Sequence, residues 1–366
     1  MPIFMDRHIV PGIEAKHAAQ AHREDLRIQD EYGCRCMTYW VDEDRGSAFC
    51  LIDAPDIESV KQMHDRAHGL IPHDIIQVNS NVVEAFLGRI SDPEAYKDLA
   101  DPDLKIFNDP AFRIIMVAKT RDIQLLKHGI GLEKSKKLIS LYHEVMRQEL
   151  LNFEGRQVET EDFGFVASFV SVTQAVNCAV SVQEKLHFAA ELLELRIGLN
   201  AGMPVDKSKD LFGDTVKMAD YLCWMGSGNQ IVLASIIKEI YKGDAKSQYA
   251  STLFKWLKPV DENILQMLMD TLSGHFQNAK WSVNDFCIKM SMSKSKLYRK
   301  STELLGMSPN ELLREYRLVN ALVLLRTNRN IAETAFDSGF SSPSYFIKCF
   351  QERFNTSPLN YQKALF

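Results

Sequence analysis

The chain has 366 residues, 46% hydrophobic and 25% charged, with a formal net charge of −5; this suits two or three globular domains and excludes a disordered polymer. Residues 261–366 carry 13 Lys/Arg against 10 Asp/Glu, a net of +3, which leaves −8 for residues 1–260. The seven scattered cysteines form no disulfide framework, no stretch reaches membrane-span length, and Asp6, Arg7 and His8 interrupt any signal-peptide core, so a cytoplasmic protein is expected.

In chain order, residues 1–10 hold a strand, Glu14–Glu31 a helix, Cys34–Val41 a strand, and Asp42–Gly46 a turn. Ser47–Asp53 follows as a strand, Ile57–Gly69 as a helix and Asp74–Val78 as a strand. The order β-α-β-β-α-β predicts a ferredoxin-like domain over residues 1–90. Six of the ten histidines fall here. His64 and His68 are four apart on a helix, so both rings share a face and can share a metal. His8 lies on the first strand, and His22 shares a helix face with Ala15, Ala18 and Ala19. Imidazole suits nickel, zinc and copper alike.

Met5-Asp6-Arg7-His8, Ala21-His22 with Asp25, Phe49 to Pro55, and Ala67-His68-Gly69 resemble a family of small nickel-binding ferredoxin-like domains. That resemblance implies nickel or another divalent transition metal, with His8, His22, His64 and His68 as candidate ligands. Cys34 and Cys50 are reserves, although Cys50 between Phe49 and Leu51 reads better as a buried structural thiol.

From Gly88 to Ala111 three prolines and many aspartates predict a linker, bounded at residues 91–111. Residues 112–242 alternate: strand Arg113–Val117, helix Lys134–Phe153, hairpin Gln157–Val170, helix Thr173–Ala189, strand Leu195–Gly202, a helix through Trp224, and strand Gln230–Leu233. The pattern predicts an α/β sandwich. Gly155-Arg156, Leu195 to Gly202 with Pro204-Val205, Asp210 to Val216, and Gly228 to Ile231 resemble the class III nucleotide cyclase domain. The resemblance implies two metal-holding aspartates, but Lys119 and Phe163 stand at those positions unless Asp122 or Asp162 substitutes. Lys217 and Tyr221 stand where an asparagine and an arginine would steady the transition state, and Glu159 where a lysine would read the purine. Asp210, a base contact in that family, is retained. Without paired carboxylates two Mg²⁺ ions have no seat, so a dead enzyme is expected. The resemblance also implies dimerisation through this domain.

Gly243 to residue 260 reads as a second linker, and Leu265, Leu268, Met269, Leu272 and Phe276 keep helical spacing beyond it. Ser282 to Asp285 then opens a helix with a capping box, ending at Ser291-Met292-Ser293. A second helix, Lys294–Leu305, stops at Gly306. Ser308-Pro309-Asn310-Glu311 opens a long third one with another capping box. Ile331–Phe336, a turn at Gly339, a helix from Ser342-Pro343 and a last one from Ser357-Pro358 repeat the plan.

Ile331-Ala332, Gly339 to Phe346, Phe350, Phe354 and Pro358 to Tyr361 resemble the signature of the AraC/XylS family of transcription regulators. Asn355 stands where that family has glycine, and Gln362 where arginine is common. The resemblance implies an all-α double helix-turn-helix domain over residues 261–366 that binds double-stranded DNA with one helix of each unit in a major groove. The exposed polar residues of those helices are the candidate contacts: Ser295, Lys296 and Arg299 in the first, and Ser342, Ser344, Tyr345 and Lys348 in the second.

The chain is thus expected to be an α+β multidomain transcription regulator, homodimeric, answering to a metal or to a small-molecule or nucleotide effector. Two other classes fit the same residues: a metal-regulated nucleotide cyclase, and a metal store or chaperone.

Overall fold

Strand β1 (Ile3–Ile9) alternates in burial and neighbours: Phe4, Asp6 and His8 turn to one face and Met5 to the other. It lies between β3 (Ser47–Asp53) and β4 (Asp74–Val78), with β2 (Arg35–Asp42) beyond β3, all antiparallel, in the order β2-β3-β1-β4. Helices α1 (Ala15–Ile28) and α2 (Ile57–His68) cover the Phe4 face, giving the expected β-α-β-β-α-β unit. Helix α2 starts at Asp56, whose carboxylate accepts the Ser59 N–H, and stops at Gly69 in the left-handed region. The structure, a computed structural model, describes residues 1–93, 104–158, 164–225, 230–242, 253–327 and 329–365. Glu159, Asp162, Phe163, Gly228 and Asn229 lie outside the described residues, as do residues 94–103 of the first expected linker and 243–252 of the second.

The Met5 face is covered by the middle domain. Met5, Trp40, Phe49 and Leu51 form one apolar cluster with Phe86 of a third helix, α3 (Ser80–Leu87), and with Ile115 and Val117 of the next sheet. Nothing in the sequence reading anticipated α3. The stretch read as a first linker is also packed where it is described. Leu104, Phe107 and Ala111 are buried, Phe107 stacks on Tyr39 at 4.2 Å, and Arg89 pairs with Asp109 while lying over Trp40. Proline removes a backbone N–H donor but leaves neighbouring apolar side chains free to bury.

The second sheet has six strands: β5 (Arg113–Lys119), β6 (Arg156–Val158), β7 (Gly164–Phe169), β8 (Arg196–Gly202), β9 (Ile231–Leu233) and β10 (Phe254–Trp256). Their order is β10-β9-β8-β5-β7-β6. Strand β10 lies within the expected second linker; three residues carry no readable period, yet they pair in parallel with β9. Helices Leu132–Asn152 and Val172–Lys185 pack on one sheet face, and helix Gly213–Cys223 on the other. Gly198 permits that last approach, since a Cβ there would lie 2.3 Å from the Ala219 carbonyl oxygen.

Helix Pro259–His275 docks on helix Gly213–Cys223, where the Tyr221 hydroxyl donates to Asp270 at 2.8 Å and the Lys217 ammonium lies 2.8 Å from the same carboxylate. The C-terminal helices then follow: Val283–Lys289, Lys294–Leu305, the connector Pro309–Arg326, Ile331–Asp337, Pro343–Phe354 and Pro358–Lys363. The capping boxes at Ser282 and Ser308 form as the spacing predicts. Gly306 (φ 70) and Asn355 (φ 57) hold left-handed caps, so asparagine does here what glycine does elsewhere. Leu297, Leu304 and Leu312 of the first unit join the middle domain's cluster. Phe340, Phe346 and Phe350 of the second form their own, which Leu125 of the middle domain enters. Asp122 caps helix Ile123–Ile130, ion-pairs with Arg326, and accepts from the Tyr361 hydroxyl at 2.8 Å.

Gly339 makes the turn of the second unit at φ +82, and a Cβ there would lie 1.9 Å from the carbonyl oxygen of Phe276, the C-cap of helix Pro259–His275. Gly339→Ala is expected to cost about 2 kcal/mol or more through strain and clash together. A denaturation midpoint equal to that of the parent would show that this turn does not rest on the helix end.

Candidate metal centre and nucleic-acid interface

Helix α2 presents His64 and His68 on one face, as their spacing requires, and that face meets α1 at Asp25. Asp25 Oδ1, His64 Nδ1 and His68 Nε2 form a triangle with edges of 3.1, 3.1 and 3.2 Å. A metal–ligand distance of about 2.1 Å gives neighbouring ligand atoms about 3.0 Å apart in an octahedron and about 3.4 Å in a tetrahedron. The three atoms therefore fit one face of a divalent transition-metal site. The other ring nitrogen, His64 Nε2, lies 2.8 Å from Asp6 Oδ2, and Asp6 and His64 are both fully buried. A buried carboxylate behind a ligand imidazole fixes its tautomer and raises its basicity. His68 is the most exposed of the three and offers the way in from solvent. The Leu70 N–H donates to His68 Nδ1 at 3.2 Å, and holding a metal through Nε2 would cost that bond.

Of the four histidines expected as ligands, His64 and His68 are brought together. His8 lies on the far side of Asp6, its Nε2 3.4 Å from Asp6 Oδ1, and with Asp6, Cys50 and His64 forms a second group that shares His64. His22 stands apart, facing Asp92 at 3.4 Å and the Tyr39 ring. The sequence reading did not number Asp6 and Asp25 among the ligands. Their signal was present: Asp25 continues the Ala15, Ala18, Ala19, His22 face of α1, and a carboxylate on a buried face demands a partner. Burial pushes Cys50 well up, and Asp6 and Asp25 push it further, which keeps the thiol neutral.

Burial lowers the His64 pKa, but the Asp6 charge and the hydrogen bond to Asp25 outweigh it and raise the group to about 10. Burial raises Asp6 and Asp25 in turn, and the histidines around them more than offset it, leaving both low. At neutral pH His64 thus carries a proton on each nitrogen, Nε2–H toward Asp6 and Nδ1–H toward Asp25, and the Nδ1 proton stands where a metal would otherwise sit.

In the C-terminal region Ser295, Lys296 and Arg299 are all exposed on helix Lys294–Leu305, opposite the buried Leu297, Ser301 and Leu304. Among the described residues Lys296 and Arg299 have no ion-pair partner, whereas Lys300 is held by Asp261 at 2.9 Å and Glu303 at 3.0 Å. On helix Pro343–Phe354, Ser344, Tyr345 and Lys348 are exposed. Ser342 is half-buried, and its hydroxyl accepts the Tyr345 N–H as the N-cap, so its first duty is to start the helix. Lys348 lies 3.8 Å from Glu352. Gln362, at the family's arginine position, donates instead to the carbonyls of Leu325 and Arg329.

In the middle domain Asp210 lines a cleft of about 650 Å³ with Lys119, Asp214 and Lys217. Lys119 pairs with Asp220, while Lys217 and Tyr221 hold Asp270 of the docking helix. Lys119, Lys217 and Tyr221, expected from the sequence at catalytic positions, are thus engaged in ion pairs and hydrogen bonds within the fold.

Residues 4–78 match the family described as nickel responsive protein SCO4226-like, and residues 286–364 match a helix-turn-helix domain. The N-terminal part thus carries an SCO4226-like domain and the C-terminal part an AraC-type helix-turn-helix domain. Among curated relatives, histidine kinase P4 of Formosa agariphila is 35% identical over 107 residues, 29% of this chain and 8% of that protein. The HTH-type transcriptional regulator MtrA of Neisseria gonorrhoeae is 25% identical over 134 residues, 36% of this chain and 43% of that protein. The chain therefore spans under half the length of either. Among solved structures, SCO4226 of Streptomyces coelicolor A3(2) is 32% identical, covering 21% of this chain and 94% of that one with a TM-score of 0.20. The guanylyl cyclase Cya2 is 21% identical, covering 36% of this chain and 79% of that one with a TM-score of 0.31. Among the described residues no helix is long and apolar enough to cross a membrane.

Metal bound through His64 Nδ1 must displace the proton held there, so affinity rises with pH below about 10. Calorimetry with nickel should give about tenfold tighter binding at pH 8 than at pH 7, with about one proton released. Equal affinity at both values would place the metal away from His64. For the metal-free fold the sign is opposite. The raised group stabilises fully below its unfolded value near 6.5, and its contribution is lost as pH rises through about 10.

Proposed function

We propose that this chain is a DNA-binding transcription regulator that responds to nickel or a similar divalent ion. One observation carries the reading: a helix-turn-helix domain whose exposed Lys296 and Arg299 have no ion-pair partner among the described residues shares a chain with a triangle of buried Asp25 and His64 and half-buried His68. Arg299 and Lys296 would contact phosphates or guanine edges, with Ser295 beside them, and Ser344, Tyr345 and Lys348 would do the same for the second unit. Asp25, His64 and His68 would hold the ion, with His8 close by; bound there, it supplies a charge that ties α1 to α2. A cytoplasmic homodimer with a further small-molecule or nucleotide effector belongs to the same reading.

The middle domain is proposed to relay and not to catalyse. Lys119 and Lys217 are cations at the mouth of the Asp210 cleft, and both are already paired, which supports that view. Turnover of ATP or GTP by the purified chain would overturn it.

A duplex selected from random sequence should bind the purified protein at fixed salt. Lys296→Ala/Arg299→Ala should weaken it by about 1–3 kcal/mol per contact and flatten the salt dependence. One equivalent of nickel should shift the affinity several-fold in the parent and leave His64→Ala/His68→Ala unmoved. Tight nickel binding with unchanged DNA affinity would favour a metal store; no selectable duplex at all would sink the regulator.

A further inference from the structure

A cavity of about 320 Å³ lies between the middle domain and the connector helix Pro309–Arg326. Trp224 and Tyr316, stacked at 5.5 Å across the junction, line it together with Val319 and Val323. Arg121 and Arg196 of the middle domain reach it from one end, their side chains 26% and 33% exposed. The carboxylate nearest to both is Glu194, 3.8 Å from Arg121 Nε and 3.6 Å from Arg196 Nη2, beyond hydrogen-bond reach. Among the described residues neither guanidinium has a hydrogen-bonded acceptor. Two other arginines of the same cavity are satisfied, Arg326 by Asp122 and Arg353 by Glu315 at 2.8 Å. Each guanidinium offers five N–H donors in a planar fork shaped for a carboxylate or a phosphate.

We propose that this junction is a binding site for a small aromatic anion. Its carboxylate or phosphate is taken by Arg121 and Arg196, and its ring lies against Trp224, Tyr316 and Val319. The volume falls at the small end of ligand sites, which limits the occupant to a compact acid. The walls come from two domains, so the occupant bears on how the connector helix sits against the middle domain. The site adjoins the Asp210 cleft, with which it shares Lys119 and Asp220, but of the two only the junction is lined by Arg121, Arg196 and Val319, and the histidine cluster lies apart from both. Its test uses neither DNA nor metal and so is independent of the regulatory reading.

The probes are naphthoate, naphthyl phosphate and the uncharged methyl ester of naphthoate, each titrated into the full chain by calorimetry. One site per chain is expected for at least one of the two acids, the preferred one naming the anionic group, and at least tenfold weaker binding for the ester. Arg121→Met/Arg196→Met should weaken the acid at least tenfold, and Val319→Trp, which fills the cavity, should do the same. Each variant is read only with a denaturation midpoint near that of the parent; if the arginine pair fails to fold, Val319→Trp decides. No binding of either acid, an ester that binds as well as its acid, or acid binding unchanged in the folded variants would overturn the proposal.

Discussion

Strand β1 has two faces, and both are committed. Asp6 and His8 point toward α1 and α2, where Asp6 holds His64, while Met5, next to Asp6 in the chain, is buried against the middle domain. A strand's period of two makes this division unavoidable: a one-residue slip would carry the carboxylate into the apolar interface and the methionine into the histidine cluster. The same seven residues therefore join the candidate metal centre to the rest of the chain. A buried ionic group is costly unless its charges have partners, and here a protonated His64 lies between Asp6 and Asp25, with His8 and His68 beside those two carboxylates. Exchanging a proton for a metal changes that set at its centre.

From β1 the packing is continuous. Trp40, Phe49 and Leu51 bear on Ile115 and Val117, whose strand β5 also faces helix Leu132–Asn152 across the sheet through Ile114 and Met116. That second core runs on through Leu265 and Leu268 of the docking helix to Leu297 and Leu304 of the first helix-turn-helix unit. The second unit is attached differently, through Leu125 and the Asp122, Arg326 and Tyr361 group. The middle domain thus grips both units at separate points, one apolar and one polar. Close-packed interiors transmit small displacements because they have no slack.

The C-terminal region was legible because its signals are local. Ser282, Ser308, Gly306 and Gly339 each act on their own turn of helix, and each sits where its residue type predicts. The N-terminal fold was legible from alternation for the same reason, and the pair His64 and His68 from helical spacing. What escaped the reading depends on distant neighbours. Asp6 and Asp25 become site residues only when β1 and α1 meet α2. Strand β10 exists because β9 offers a free edge, and Phe107 is buried because Tyr39 faces it. His22 has the helix face its spacing predicts for burial, and that face points to Tyr39 and Asp92, apart from His64 and His68.

The histidine cluster and the C-terminal units belong to one packed body. Amide hydrogen exchange of the full chain, with and without one equivalent of nickel, tests it most directly. Slower exchange on nickel binding is expected in residues 3–9 and 57–68, and also in residues 113–119 and 213–223 across the apolar interface. Slowing confined to residues 1–78 would contradict it and make the N-terminal domain an independent metal-binding module.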